Sequence, residues 1–329
     1  MRVGVLDVGS NTVRLEIADA DGAVPLPVHT VKYRLRLADD VDSEGRLPEY
    51  AVERLAEATA AAEEEARSWG VARLTAFATA IVREAPNRSQ IVEAVRKRAG
   101  LELRIMSGRR EAELTFLAAR RWMGWRAGPM VLLDIGGGSV EVAFGRSGVP
   151  DLAVSVPLGA GLLTREHFGT ADPPPPEQLR AVRRQVRHQL RDVTARIRWE
   201  RPHTAVATSR TLHQLARLCG AAPGREGPFT PRYLKRGRLR TELDRLRRLP
   251  AAERAELPGI SPARAGQALA GALVAHTTMT LLDVTTLELC PWALREGVLI
   301  HQLEQDAPHR CEQDAPGGTG SPTTPHTCP

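Results

Sequence analysis

The chain has 329 residues, enough for two domains that each bury a hydrophobic core. Its content of 42% hydrophobic and 26% charged residues excludes a disordered or fibrous protein, and no apolar run is long enough to span a membrane. The net charge of +6 favours an anionic partner, with the codon bias of a GC-rich genome as the alternative source of the many arginines.

The first half of the chain predicts alternating strands and helices. Strands are predicted over residues 3–6, 13–17, 31–37, 74–79 and 101–106, and helices over 48–69, 89–99 and 111–123. The glycine-rich stretch 124–129 is typical of a hinge between two halves.

The second half repeats this order. Strands are predicted over 131–135, 140–144, 152–156 and 204–208, and helices over 177–200, 211–219, 240–249, 262–282 and 292–304. The repetition predicts an α/β protein with two domains, residues 1–125 and 126–305, each with a mixed sheet, and a cleft between them.

The last residues differ in composition from the rest. The sequence Glu-Gln-Asp-Ala-Pro occurs at 304–308 and again at 312–316, followed by a stretch rich in Gly, Thr and Pro. We predict a disordered tail over 306–329. The four cysteines lack metal-ligand spacing and the N-terminus enters a strand directly, so we expect a cytoplasmic protein without disulfides.

Two glycine-rich turns carry the strongest functional signal. Asp7-Val8-Gly9-Ser10-Asn11 and Asp134-Ile135-Gly136-Gly137-Gly138-Ser139 each join two predicted strands, and their aspartates are 127 positions apart. A second matched pair, Phe77-Ala78-Thr79-Ala80 and Val206-Ala207-Thr208-Ser209, has an offset of 129. The nearly constant offset indicates a duplicated domain with a phosphate-binding hairpin on each side of a cleft.

The acids in these turns suggest a metal. Asp7 and Asp134 follow buried strands, where an unpaired carboxylate is costly, and they lie beside backbone N–H groups that suit an anion. A divalent cation bridging both acids to phosphate explains this combination, whereas a turn-capping role is the alternative for each Asp taken alone. Alternatives also stay open for Arg14, as a solvated strand residue, and for Glu111, as an acid at a helix start.

Seven motifs in order resemble the exopolyphosphatase/guanosine pentaphosphate phosphohydrolase family, within the actin-like ATPase and sugar-kinase superfamily. They are the two turns above, with Arg14-Leu15 after the first and Val140-Glu141 after the second, Ala78-Thr79-Ala80-Ile81-Val82-Arg83 with Asn87, Ser107-Gly108 with Glu111, Pro157-Leu158-Gly159-Ala160-Gly161, Arg264-Ala265 with Gly271, and Leu294-Arg295-Glu296-Gly297. The resemblance implies two RNase H-like domains, with the last helix packed on the first domain.

The resemblance also implies roles for individual residues. Glu111 takes the place of the catalytic glutamate, and Glu141 and Asp134 match acids near the water and the metal, which is Mg²⁺ or alternatively Mn²⁺. The phosphate-binding positions are matched by Gly9, Ser10, Asn11, Arg14, Arg83, Gly136, Gly137, Gly138, Ser139 and Arg264.

Three positions depart from the family pattern. Arg110 replaces an acid, Arg210 replaces a loop glycine, and Gly266 replaces an aspartate, so the cleft is more positive than usual. We therefore predict hydrolysis of the terminal phosphate of inorganic polyphosphate, with Arg210 contacting substrate phosphate or, alternatively, lying in solvent.

Three alternative functions stay open at this stage. They are hydrolysis of the guanosine alarmone pppGpp, an actin-like or sugar-kinase ATPase, and weakly catalytic binding of polyphosphate or alarmone. Neither a membrane nor a specific nucleic acid is expected as a partner, and a homodimer is one open oligomeric state.

Overall fold

The computed structural model describes residues 1–20 and 27–313, with side chains up to residue 305. The first half contains β1 (Arg2–Val8), β2 (Thr12–Asp19), β3 (Pro27–Arg34), α1 (Leu37–Asp40), α2 (Glu49–Ser68), β4 (Arg73–Ala78), α3 (Ala80–Arg83), α4 (Arg88–Ala99), β5 (Arg104–Ile105) and α5 (Gly108–Met123).

The second half begins with β6 (Met130–Ile135), β7 (Val140–Gly145), β8 (Leu152–Val156), α6 (Ala160–His167) and α7 (Pro176–Trp199). It continues with β9 (Thr204–Ala207), α8 (Ser209–Leu218), β10 (Tyr233–Lys235), α9 (Arg236–Leu246), α10 (Ala251–Arg254), α11 (Ala265–Leu281), β11 (Thr286–Leu289) and α12 (Leu294–Gln313). Within residues 1–20 and 27–313, no helix combines the length and apolar character that a membrane span requires.

The two sheets share one strand arrangement. The first has the order β3-β2-β1-β4-β5, with β1 antiparallel to β2 and parallel to β4. The second has the order β10-β11-β9-β6-β7-β8, with β6 antiparallel to β7 and parallel to β9. The second sheet thus repeats the first and adds β10 at its edge, which confirms the predicted α/β fold with two related sheets.

Two helices connect the halves. Val298 and Leu299 of α12 pack on Val3 and Val5 of β1, so the last helix lies on the first sheet. Helix α5 contacts both sheets, because Leu114 joins this cluster while Phe116 packs with Met130 and Ala143 of the second sheet. Helix α5 precedes residue 125, where the sequence predicts the end of the first domain, yet it packs on the sheets of both halves.

The crossing of α5 and α12 depends on one glycine. A Cβ atom at Gly297 would overlap the backbone carbonyl of Leu114, so only glycine allows the two helices this close an approach. The resemblance motif that contains Gly297 therefore has a packing reason.

Several elements differ from the sequence predictions. The strands β10 and β11 and helix α6 were not predicted, and β5 is only two residues long. Helix α12 continues to Gln313, into the segment 306–329 for which the sequence predicts a disordered tail, and residues 314–329 lie outside the described residues. Glu and Gln are good helix formers, so this segment extends a helix that is already nucleated, although Pro308 lies within it.

Candidate active site

The turns after β1 and β6 are closed by the same hydrogen bond. The N–H of Gly9 donates to the carbonyl of Thr12 at 3.0 Å, and the N–H of Gly136 donates to the carbonyl of Ser139 at 2.9 Å. Gly136 follows Gly9 by 127 positions, and Ser139 follows Thr12 by the same number, which is also the offset of the two aspartates.

The carbonyl groups of the first turn are bonded away from the cleft. The carbonyl of Ser10 accepts the N–H of Ala38 at 3.0 Å, and the carbonyl of Asn11 accepts those of Leu35 and Arg36 at 3.1 Å. Among the described residues, the N–H groups of Ser10 and Asn11 have no protein acceptor. The turn therefore offers donors to a ligand.

The second turn is arranged in the same way. The carbonyls of Gly136, Gly137 and Gly138 accept N–H groups at the start of α6, from Ala160, Leu162 and Gly159, at 3.0, 2.9 and 3.2 Å. No acceptor within the described part of the chain pairs with the N–H groups of Gly137 and Gly138. Free N–H groups on successive turn residues form an anion-binding concavity. Both turns are therefore suited to phosphate.

The two turns face each other. A Cβ atom at Gly137 would overlap Oγ of Ser10 and lie 3.7 Å from Nδ2 of Asn11, and one at Gly138 would lie 3.0 Å from Cβ of Ala80. The turns thus meet across one cleft, and the missing side chains leave room there. Ser139 is buried at the rim of the same cleft.

The predicted acids occupy equivalent positions beside these turns. Asp7 is paired across the first hairpin with Arg14, and Asp134 is paired across the second with Glu141. Oγ1 of Thr208 donates to Oδ2 of Asp134 at 2.5 Å. The duplicated motif therefore places an acid at the mouth of each turn, with an arginine beside the first and a second acid beside the other.

Glu111 lies in the first turn of α5, whose N-cap residue Ser107 accepts the N–H of Arg110 at 3.2 Å. Nη1 of Arg83 donates to Oε2 of Glu111 at 3.2 Å. Burial raises the pKa of Glu111 to about 7, Arg83 acts in the opposite direction, and the charge of Asp134 raises it further. A carboxylate with this pKa can take a proton near neutral pH.

Glu111, Asp134 and Glu141 influence one another. Burial raises the pKa of Asp134 to about 6, and burial together with the charges of Glu111 and Asp134 raises the pKa of Glu141 well above its usual range. Oγ of Ser155 donates to Oε1 of Glu141 at 2.7 Å. Three carboxylates that raise one another's pKa are not all ionised together unless a cation compensates their charge.

These acids suit a magnesium ion that also binds water and substrate better than a metal held by protein side chains alone. In the part of the chain that the structure describes, no group of three or more His, Cys, Asp or Glu side chains is arranged to hold a metal. Magnesium commonly binds through one or two carboxylates and completes its shell with water and substrate phosphate. Asp134 meets that requirement, with Asp7 as the second acid across the cleft.

Arg295 is a site residue that the sequence reasoning missed. Its Nη1 lies 3.0 Å from Oδ2 of Asp7, and its Nε lies 3.2 Å from Oε2 of the buried Glu16. Arg295 is 288 positions from Asp7, so no local pattern predicts the contact. The Leu294-Arg295-Glu296-Gly297 motif was the available signal, but it suggested no role.

The predicted arginines fall into two groups. Arg83 contacts Glu111, while Arg14 lies 3.4 Å from Glu16 and has a buried Nε atom without a hydrogen-bond partner. Arg264 and Arg210 lie near each other on the second half: burial lowers the pKa of Arg264, the charge of Arg210 lowers it further, and Asp134 opposes this. Arg210 is exposed at the start of α8.

A cavity of about 490 Å³ opens at the two turns. It is separate from a cavity of about 440 Å³ between α5 and α12. One part of the cavity at the turns is lined by Ser10, Gly137 and Gly138, with Arg83 and Gly108 beside them. Much of the remaining wall is apolar and is formed by Val41, Ile81, Ala85, Val154, Val156, Pro157 and Leu162. The site therefore combines phosphate donors with an apolar recess.

Comparisons of the whole chain with known proteins identify its family. The sequence matches the Ppx/GppA phosphatase family over residues 16–306. It is 60% identical over 305 residues to an uncharacterised Streptomyces coelicolor protein, covering 92% of this chain and 91% of that one. It is 45% identical over 309 residues to Exopolyphosphatase 1 of Mycobacterium leprae, covering 93% and 91%.

A solved structure of an Aquifex aeolicus Ppx/GppA family member is similar with a TM-score of 0.78 and 26% identity, covering 93% of this chain and 98% of that one. The chain therefore belongs to the Ppx/GppA phosphatase family. It has that family's two-domain actin-like ATPase fold, and it is a hydrolase, a phosphatase.

Proposed function

We propose that this protein is an exopolyphosphatase, which hydrolyses the terminal phosphate of inorganic polyphosphate with the help of a divalent cation. One observation carries the proposal: two turns whose free N–H groups suit phosphate face each other, with the carboxylate of Glu111 at the same cleft. The name of the Mycobacterium leprae relative supports the choice of polyphosphate.

The reaction needs a water, a base and donors for the transferred phosphoryl group. Glu111 takes a proton from the water as its oxygen attacks the terminal phosphorus, and the bond from that phosphorus to the bridging oxygen breaks. The bridging oxygen and the bonding electron pair leave with the shortened chain. Arg83 orients Glu111 and neutralises phosphate charge, as do the N–H groups of the two turns.

Asp134 and Asp7 would hold the cation. A bound magnesium ion would neutralise charge on the phosphate oxygens. Thr208 fixes one oxygen of Asp134 through its hydroxyl group, and Arg295 fixes one oxygen of Asp7. These contacts fix the position of one oxygen of each carboxylate, and the other oxygen of each would be the one to hold the cation.

The apolar recess supports a second candidate, hydrolysis of a nucleoside polyphosphate such as pppGpp. An inorganic phosphate chain has no group that gains from contact with Val41, Ile81 or Val156, whereas a nucleoside does. The cavity of about 490 Å³ is within the range of small-molecule sites, about 300–1,000 Å³.

Phosphate release from matched substrates tests both candidates. The purified full chain is assayed with long-chain polyphosphate, tripolyphosphate, pppGpp and ATP, each with Mg²⁺, with Mn²⁺ and with chelator. We expect the highest kcat/KM on polyphosphate and no release after chelation. A higher kcat/KM on pppGpp would favour the second candidate, and binding of polyphosphate without release would identify a binding protein instead.

A further inference from the structure

A row of side chains leads outward from the first acid across three strands. Asp7 of β1 is in register with Arg14 of β2, which is in register with Lys32 of β3. Residues directly opposite in neighbouring strands point to the same face of the sheet. With strands about 4.8 Å apart, this row carries positive charge about 10 Å from Asp7. Arg34 lies two residues further along β3, on the same face.

The second half supplies positive charge to the same place. Partial burial lowers the pKa of Lys32, and the charges of Arg34, Arg210, Arg14 and Arg264 lower it further. Arg210 and Arg264 come from the start of α8 and the turn before α11, so cations of both halves converge at the outer end of the row.

These cations differ from the other arginines of the site, because Arg14, Arg83 and Arg295 each contact a carboxylate. In the described part of the chain, Lys32, Arg34, Arg210 and Arg264 form no ion pair with a carboxylate, and Nε of Arg14 is buried without an acceptor. Like charges held together without counterions are unfavourable in the free protein. Their arrangement is therefore suited to a polyanion.

This basic row lies apart from the proposed base. Asp7, at the inner end of the row, is among the charges that act on the pKa of Glu111. Lys32 lies two strands further out, about 10 Å from Asp7. The cavity at the turns is lined by Arg83 but by neither Lys32 nor Arg34. In an in-line displacement the leaving group departs opposite the attacking water. A chain attacked from the Glu111 side therefore extends away from Glu111.

We propose that Lys32, Arg34, Arg210 and Arg264 form a subsite for the phosphates beyond the scissile bond of a linear polyphosphate chain. This inference rests on the proposed exopolyphosphatase function and adds to it a basis for chain-length preference. Tripolyphosphate is too short to engage the outer cations of β3, whereas a long chain engages Lys32 and Arg34. The outer subsite thus favours long substrates.

A double variant with a matched control tests the subsite. Lys32→Ala with Arg34→Ala removes two charges from the row, and Lys97→Ala with Arg98→Ala removes the same charges from exposed positions on α4, which packs on the opposite face of the first sheet. The ratio of kcat/KM on long polyphosphate to that on tripolyphosphate is measured for both variants over a series of salt concentrations.

We expect the first variant to lower this ratio about tenfold and to reduce the salt dependence of KM for long chains by about one unit on a log–log plot. The control should retain the wild-type ratio. Equal effects on both substrates, no effect, or the same change in the control would overturn the subsite. If the wild type releases no phosphate from either substrate, the proposed function itself fails, which is a different result.

Discussion

Arg295 of the last helix donates to Asp7 at the end of the first strand, with 3.0 Å between Nη1 and Oδ2. The same guanidinium pairs with the buried Glu16, so one cation of α12 neutralises two acids of the first sheet. The contact links the C-terminal part of the chain to the first phosphate-binding turn. It explains how the partly buried Asp7 is held beside the first turn.

Removal of this cation should destabilise the protein. Arg295→Met leaves Asp7 without its hydrogen-bonded cation and the buried Glu16 with Arg14 alone, and we expect a loss of about 3–5 kcal/mol in the free energy of unfolding, measured by urea denaturation. Arg121→Met is the control, because its partner Glu304 is exposed, and it should cost about 1 kcal/mol or less. Equal losses in the two variants would contradict a special role for Arg295.

The loss caused by Arg295→Met should depend on pH. Burial already raises the pKa of Asp7, and Arg295 acts against that shift. Without Arg295 the pKa of folded Asp7 rises further above its unfolded value, so the cost of burying the charged form falls as Asp7 becomes protonated. The difference in unfolding free energy should therefore be smaller at about pH 5 than at about pH 8. A pH-independent difference would argue against burial of charge as its cause.

The pH dependence of phosphate release should report Glu111. Its pKa of about 7 means that the base is protonated below that pH, so kcat/KM should fall as the pH drops through about 7. Arg83 lowers this pKa, and Arg83→Met should therefore move the acidic limb to higher pH, in addition to any loss of rate. An unmoved limb would show that another group titrates.

The metal assignment is tested at Asp134. Asp134→Asn removes the negative charge that a hard cation needs, and we expect activation by Mg²⁺ to fall about a hundredfold or more. Thr208→Val is the control, since it deletes the 2.5 Å hydrogen bond but keeps the carboxylate, and it should retain dependence on the metal. An unchanged Mg²⁺ titration of Asp134→Asn would place the cation elsewhere.

The close crossing of α5 and α12 gives a stability prediction. Gly297→Ala forces a methyl group into the carbonyl of Leu114 and should cost about 1–3 kcal/mol or more. Gly237→Ala, in α9 and with nothing within 4 Å of the added atom, should be neutral or stabilise by about 0.4–1 kcal/mol. Thermal unfolding of both variants measures the difference, and a stable Gly297→Ala would mean that the helices separate easily.

The hairpins and the duplicated turns could be predicted because their signals are local. Short apolar runs mark β1, β2, β6 and β7, and glycine marks the turns between them. The same offset relates the sequences of the two turns and the hydrogen bonds that close them. A local pattern repeated at one spacing is sufficient evidence for a duplicated fold.

The contacts between distant segments could not be predicted. The pairing of Arg295 with Asp7 and Glu16, and the apolar recess formed by Val41, Ile81 and Val156, depend on elements that meet only in the folded chain. The short strand β10 has only three residues, too few for a periodic signal. These features follow from tertiary packing, and a sequence pattern carries no direct record of them.

The central claim is that Glu111 acts as the base for hydrolysis of polyphosphate, and a matched pair of variants tests it most directly. Phosphate release and polyphosphate binding are measured for Glu111→Gln and for Glu113→Gln, whose carboxylate pairs with Arg109 on the same helix. The account predicts that Glu111→Gln lowers kcat by about 10²–10⁴-fold with binding retained, while Glu113→Gln stays near wild type. Turnover by Glu111→Gln within a few-fold of wild type would contradict it.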